Sequence, residues 1–225
     1  MRQKPNRQEQ LKNAALFLCL ARRLARDGVI GDRLKVQKCT FLVTLDEFTK
    51  RLKGFDLTFF RYKWGPFSKQ LWDVEGRLET AGLLVQRTSG ENEVDELLFT
   101  EEGGALADDL CAAIDAIAGN RQFTEGYERV VGQFADADTK TLLDFVYDLS
   151  VKPIGGSKQR IKDMPNNLDI TQVLDPEDAD AEVVIPDGWL DTLAIMLSKG
   201  NRDGIQRAAD DLAHGRVRSH EEVWA

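Results

Sequence analysis

The chain has 225 residues, 42% hydrophobic and 30% charged, with a formal net charge of −8 at pH 7, which suits one large globular domain with a small appendage. Its longest apolar run, residues 14–21, is eight residues long, against the ~20 that a bilayer-spanning helix needs. The opening MRQKPNRQE is polar and no cleavage-like site follows it, so neither a membrane span nor a secretory signal is legible and the expected setting is cytoplasmic.

The first predicted helix covers residues 11–26. Leu11, Ala15 and Leu18 share one face while Phe17, Leu20 and Leu24 crowd another, the pattern of a helix buried on both sides. Asp32 can cap a second helix from Arg33 to about residue 52. Its expected apolar stripe is Leu34, Phe41, Leu45, Phe48 and Leu52, with Lys35, Lys38, Lys50, Arg51 and Lys53 on the remaining surface. After a break at Gly54, residues 55–63 read as a strand, and Gly65-Pro66 marks a turn. Ser68 caps a third helix that buries Leu71, Val74, Leu78 and Ala81 and stops at Gly82. Residues 83–85 and 94–99 read as a hairpin across TSGENE. Thr100 then caps a helix to about residue 118, with Glu101 and Glu102 in its first turn. Helix, helix, strand, helix, hairpin is the element order of a winged helix. Two further helices are expected near residues 123–131 and 139–148.

Composition then shifts. Residues 163–187 contain no Lys or Arg, three prolines and eight acidic residues, which predicts an extended, mobile linker. Two short helices follow, one around Leu190, Leu193 and Leu197, the other around Ile205, Ala208 and Leu212. Ser219 and Glu222 have capping-box spacing. About one turn of helix follows them, too little to hold alone in water, so that turn is expected to pack on the body or on a partner. The expected fold class is mostly α (α+β). Residues 1–162 form a helical bundle with a small winged-helix-like antiparallel sheet, residues 163–187 a linker, and residues 188–225 a helical appendage.

Charge is unevenly spread. Residues 1–70 hold 16 Lys/Arg against 6 Asp/Glu, and residues 71–225 hold 14 against 32. The basic half could meet nucleic acid or an acidic protein, or it could neutralise the chain's own acidic half.

Recognisable catalytic chemistry is sparse. Cys19, Cys39 and Cys111 are odd in number with no Cys-x-x-Cys pair, and read as buried thiols rather than a disulfide or zinc site. The two histidines, His214 and His220, are six apart and off a common helical face. No HExxH, GxSxG or Walker loop occurs. Asp108-Asp109 and Asp210-Asp211 are sequence neighbours, which point apart on a helix. No catalytic residue, metal ligand or cofactor is therefore expected. Arg61, Tyr62, Lys63, Trp64, Phe67 and Lys69 instead interleave aromatics with cations, a composition enriched at interfaces. The same stretch is ordinary core if Trp64 and Trp72 are buried, so their exposure decides between the two readings.

Four segments, RLKVQKCTFLV (33–43), FFRYKWGPFSKQLWD (59–73), LETAGLL (78–84) and LFTEEG (98–103), resemble the Panacea, or SocA-like, antitoxin domain in order and spacing. LLDFVYDLSVKP (142–153) resembles its closing helix, so the likeness covers about residues 10–162. Cys39-Thr40 depart from the bulkier apolar residues usual after Gln-Lys. The resemblance implies a mostly helical bacterial or phage protein that neutralises a toxin by direct binding or delivers one to a cytosolic protease. The positions matching the pattern are Gln37, Lys38, Tyr62, Trp64, Gly65, Pro66 and Gly82, of which the glycines and the proline read as backbone punctuation. DDLAHGRVRSHEEVWA (210–225) is similar to the C-terminal ends of RelB- and Phd-like antitoxins. That likeness implies a segment that folds on a toxin, with Arg216, Val217, His220, Val223 and Trp224 as contacts.

The expected function is that of an antitoxin or adaptor whose partner is a cognate protein toxin, with a cytosolic protease or a second copy of the chain as further partners. The alternative is a winged-helix DNA-binding regulator. Against it, Lys69 and Arg77 on the third helix are offset by Asp73, Glu75 and Glu79. A third expectation has the acidic linker covering the basic half until a partner displaces it.

Overall fold

The computed structural model describes residues 5–89, 94–171 and 173–216. Helix α1 (Arg7–Leu24) opens on a reciprocal capping box between Asn6 and Glu9 and is buried without interruption over residues 12–21. Strand β1 (Val29–Asp32) follows. Four residues with a glycine inside give no alternation, so it carries no sequence signal. Asp32 caps α2 (Arg33–Thr49), accepting from Lys35 N at 2.7 Å.

The stripe expected for α2 is not the surface it buries. Residues 36–44 are buried all round, Phe48 is exposed, and Leu52 lies beyond the helix. Lys38 and Lys53, expected on the surface, are buried. The physical reason is position: α2 is the central helix, with α1, α5 (Arg121–Phe134), α6 (Thr139–Asp148) and strand β4 (Gly65–Phe67) packed around it.

Strands β2 (Leu52–Lys53), β3 (Phe59–Tyr62) and β4 (Gly65–Phe67) form an insertion between the second and third helices. The strand predicted over residues 55–63 therefore forms only in its second half. Gly65-Pro66 is not the turn. Lys63 and Trp64 make the reversal, and Gly65 enters β4 with φ +90°, a backbone conformation open to glycine. Pro66 is tolerated because β4 is an edge strand.

Ser68 caps α3 (Lys69–Thr80), which buries Leu71, Val74, Leu78 and Ala81 as predicted, and also Glu75. Gly82, with φ +75°, closes the helix: its N–H donates to Glu79 O (2.9 Å) and Leu83 N to Leu78 O (3.0 Å). Strands β5 (Leu84–Ser89) and β6 (Val94–Phe99) form the expected hairpin, and β1 completes a three-stranded antiparallel sheet in the order β1-β6-β5. Helices α1, α2 and α3 with this sheet make the winged helix. Thr100 caps α4 (Glu101–Asp115), which brings Cys111 against Cys19 of α1; both thiols are free and buried. The fold class is mostly α (α+β), as expected.

Residues 163–187 are laid on the body rather than extended as a linker. Beyond the two-residue pair β7 (Ser150–Val151) and β8 (Gln159–Arg160), β9 (Asp169–Thr171) pairs antiparallel with β3, and β10 (Ala181–Glu182) pairs parallel with β2. Met164, Ile170 and Val183 interrupt the acidic run and are buried. The acidic side chains meet the basic half directly: Asp180 pairs with Arg51 and Glu182 with Lys12, each at 3.2 Å. Part of the charge asymmetry is thus cancelled inside the molecule. Of the appendage, α7 (Trp189–Met196) packs on α1 and buries Leu193, whereas α8 (Lys199–Ala213) buries none of its side chains. No helix among the described residues is long and apolar enough to cross a membrane.

Candidate interaction site

Trp64 is 54% exposed, Tyr62 50% and Trp72 46%. These rings lie on a continuous aromatic surface built from the β3–β4 hairpin and the first turn of α3. Ring centroids are 5.5 Å apart for Tyr62 and Phe67, 5.6 Å for Phe60 and Phe67, and 6.3 Å for Phe67 and Trp72. Fixed cations cover two of the faces: Arg33 sits 4.5 Å over Trp72 and Lys63 sits 5.3 Å over Trp64.

The hairpin is held from behind by α2. Lys38 Nζ donates to Pro66 O at 2.7 Å. Gln37 Nε2 donates to Ser68 O at 3.3 Å, and Ser68 N donates back to Gln37 Oε1 at 3.1 Å. All four residues are buried, so these bonds act away from competing water. A cavity of about 560 Å³ opens between α2, the hairpin and α3, lined in part by Leu34, Lys38, Tyr62, Trp64, Phe67 and Trp72. Burial, and then the positive charge of Arg61, push the Lys38 amine down to about 7. Behind Trp72, burial pushes the Glu75 carboxyl up to about 8. Arg33, with its Nε 3.9 Å away and its guanidinium already paired with Glu79, offsets only part of this.

The residues expected to contact a partner divide. Tyr62, Lys63, Trp64 and Phe67 gather on the face, and Lys69 is exposed at the start of α3. Arg61 turns away from it. Its Nε donates to Ile161 O at 3.1 Å, and its guanidinium stacks 5.3 Å from the Tyr147 ring. Strand alternation alone puts it opposite Tyr62. Arg216 pairs with Asp211 at 2.9 Å and with Asp210, both near the end of α8. Val217, His220, Val223 and Trp224, with the Ser219–Glu222 capping pair, lie outside the described residues.

Sequence reasoning missed Arg33, Glu75 and the burial of Lys38. Trp72 had a signal, since it falls off the Leu71, Val74, Leu78 stripe of α3. The pairing of Arg33 with Trp72 spans 39 positions of sequence and has none.

A larger cavity of about 820 Å³ lies between the start of α1 and the acidic strap formed by residues 163–187. Its buried ions satisfy one another: Asp56 is 2.5 Å from Lys12 and 2.8 Å from Lys53. It exposes no comparable aromatic surface. Among the described residues no group of three or more His, Cys, Asp or Glu side chains is placed to share a metal ion. No protein-family model matches the chain, and no curated protein matches it either.

Proposed function

We propose that the protein is an antitoxin or adaptor that binds a protein toxin directly, with the Tyr62–Trp64–Phe67–Trp72 face as the contact. The observation that carries this reading is the half exposure of three large aromatic rings, Tyr62 and Trp64 on a hairpin and Trp72 on the first turn of α3, both fixed by buried hydrogen bonds. A rigid, solvent-exposed aromatic cluster flanked by cations is the surface type that protein interfaces bury at their centre. Covering the exposed half of each ring is worth roughly 1 kcal/mol, about half the figure for full burial, so the three rings need charge pairing and further contacts to reach tight binding. The motif resemblance of residues 10–162 to the Panacea domain supports the same reading. The exposed Ile205 and Leu212 on α8 offer a second apolar contact, Leu212 lying within the stretch 210–225 that is similar to RelB and Phd ends. The setting proposed is the cytoplasm, where a protease or a second copy of the chain can join the complex.

The test is co-expression with the product of the neighbouring reading frame, first checked for toxicity on its own. Rescue of growth that is lost in a Trp64→Ala, Trp72→Ala double variant of unchanged stability supports the proposal. Full rescue by that variant defeats it for this face.

Winged-helix topology favours a second reading, DNA binding. The exposed side of α3 carries Lys69 and Arg77 but also Asp73 and Glu79, and the acidic strap occupies Lys12 and Arg51. Binding to duplex DNA at low salt with a steep salt slope would favour this alternative.

A further inference from the structure

The cavity in the aromatic face contains a buried cation that forms no ion pair among the described residues. Lys38 is 1% exposed and lines the cavity. An ammonium has three donors. One goes to Pro66 O, and no carboxylate of the described residues forms an ion pair with it. The nearby acids are committed elsewhere. Asp32 accepts from Lys35 N and the Thr139 hydroxyl, so its charge raises the Lys38 basicity only from a distance and less than burial and Arg61 lower it, and Asp95 accepts from the Thr88 hydroxyl at 2.9 Å. Arg33 is paired with Glu79. The remaining groups facing Lys38 are Arg61 of β3 and the Tyr147 ring of α6, which lies across Gly65. A buried cation with idle donors is costly until an anion reaches it. A cavity of about 560 Å³ suits a small ligand or one or two side chains of a partner.

We propose that this cavity receives a carboxylate carried beside an aromatic or aliphatic body, the carboxylate pairing with Lys38 and the body packing among Tyr62, Trp64, Phe67 and Trp72. Its source is the partner protein, as an acidic residue next to an apolar anchor. The inference names the anchor's chemistry and rests on the binding reading above only for that source. The free amine titrates at about 7, and a bound carboxylate raises that value. Affinity is therefore full below pH 7. It falls by up to about tenfold per pH unit above 7, until the complex also loses its proton.

The experiment is an NMR titration of the full chain with N-acetyl-tryptophan and its neutral match, N-acetyl-tryptophanamide, at pH 6.5 and 8.5. The acid should bind about tenfold more tightly than the amide at pH 6.5, with shifts confined to the cavity residues. That advantage should shrink at least fivefold at pH 8.5 and vanish in Lys38→Met, while Trp72→Ala weakens both probes. Equal affinity for the two probes at pH 6.5, a preference that survives Lys38→Met, or no binding at the cavity overturns the proposal. If Lys38→Met fails to fold, the pH profile of the unaltered chain decides, because a preference flat from 6.5 to 8.5 excludes Lys38. Both probes are read on the isolated protein. A chain that neutralises no toxin would sink the functional reading, and equal probe affinities would sink this one.

Discussion

Lys38 Nζ donates to the carbonyl oxygen of Pro66 at 2.7 Å, from a position only 1% exposed. The two residues are 28 apart in sequence and belong to two different motifs, one helical and one in a hairpin. Gln37, the next residue on α2, exchanges two hydrogen bonds with Ser68. Adjacent side chains of one helix thus fix both the edge strand and the cap of α3, and with them the orientation of the aromatic face.

Gln37→Ala removes the partner of the Ser68 N–H, which remains buried, while Ser68 O keeps the Trp72 N–H at 3.3 Å. Leaving such a group unsatisfied costs ~1–3 kcal/mol. The expected loss is about 2 kcal/mol in urea denaturation. A change below about 0.5 kcal/mol would show that water replaces the amide.

Trp64→Ala and Trp72→Ala remove rings that are already half in water. Stability should change by less than about 1 kcal/mol each. Toxin capture should weaken roughly tenfold or more per ring, the equivalent of at least 1.4 kcal/mol. Isothermal titration and thermal denaturation on the same variants separate the two effects.

Gly103 and Gly104 are adjacent on α4 yet should respond in opposite directions. A Cβ on Gly103 would stand 1.9 Å from Leu83 O, a backbone atom, whereas one on Gly104 meets only Phe99 Cβ at 3.8 Å. Gly103→Ala should destabilise by about 3 kcal/mol or more through overpacking. Gly104→Ala should stabilise by ~0.5–1 kcal/mol, the usual helix-interior gain. Denaturation midpoints that shift the same way would contradict the close approach of α4 to the Leu83 backbone.

Glu75 gives stability a pH dependence. Its carboxyl is held at about 8 in the fold against an ordinary 4.5. Between those values the native chain keeps a proton that the unfolded chain has lost. The group's contribution is full below about 4.5 and falls as pH rises through 8, by at most ~1.4 kcal/mol per pH unit. Glu75→Gln stays neutral and escapes this loss. The variant should gain on the parent by on the order of 3 kcal/mol between pH 5 and 8. Glu47, also pushed up to about 8 by burial, keeps a similar slope in both proteins. A stability difference that does not change with pH would mean that Glu75 is ionised throughout.

The local chemistry of this chain was written in its sequence. Asp32, Ser68 and Thr100 cap helices where their side chains can reach the first free N–H groups, and Gly82 stops α3 where only a positive φ closes the turn. The amphipathic stripe of α3 and the hairpin of β5 and β6 followed from period and turn residues, but the strand read at residues 55–63 belongs to the insertion, and the strand that completes the winged-helix sheet is β1. Tyr62, Trp64 and Phe67 were legible as a surface candidate because they alternate with cations. The tertiary structure decided what no local pattern records. Periodicity says which side of a helix is apolar, but α2 is enclosed by neighbours, so Lys38 is buried despite its charge. Composition made residues 163–187 a linker. The unpaired edges of β2 and β3 and the cations Lys12 and Arg51, all far away in sequence, drew that segment onto the body. Burial and pairing depend on which distant groups the fold brings within a few ångströms, and the order of residues along one segment does not contain that distance.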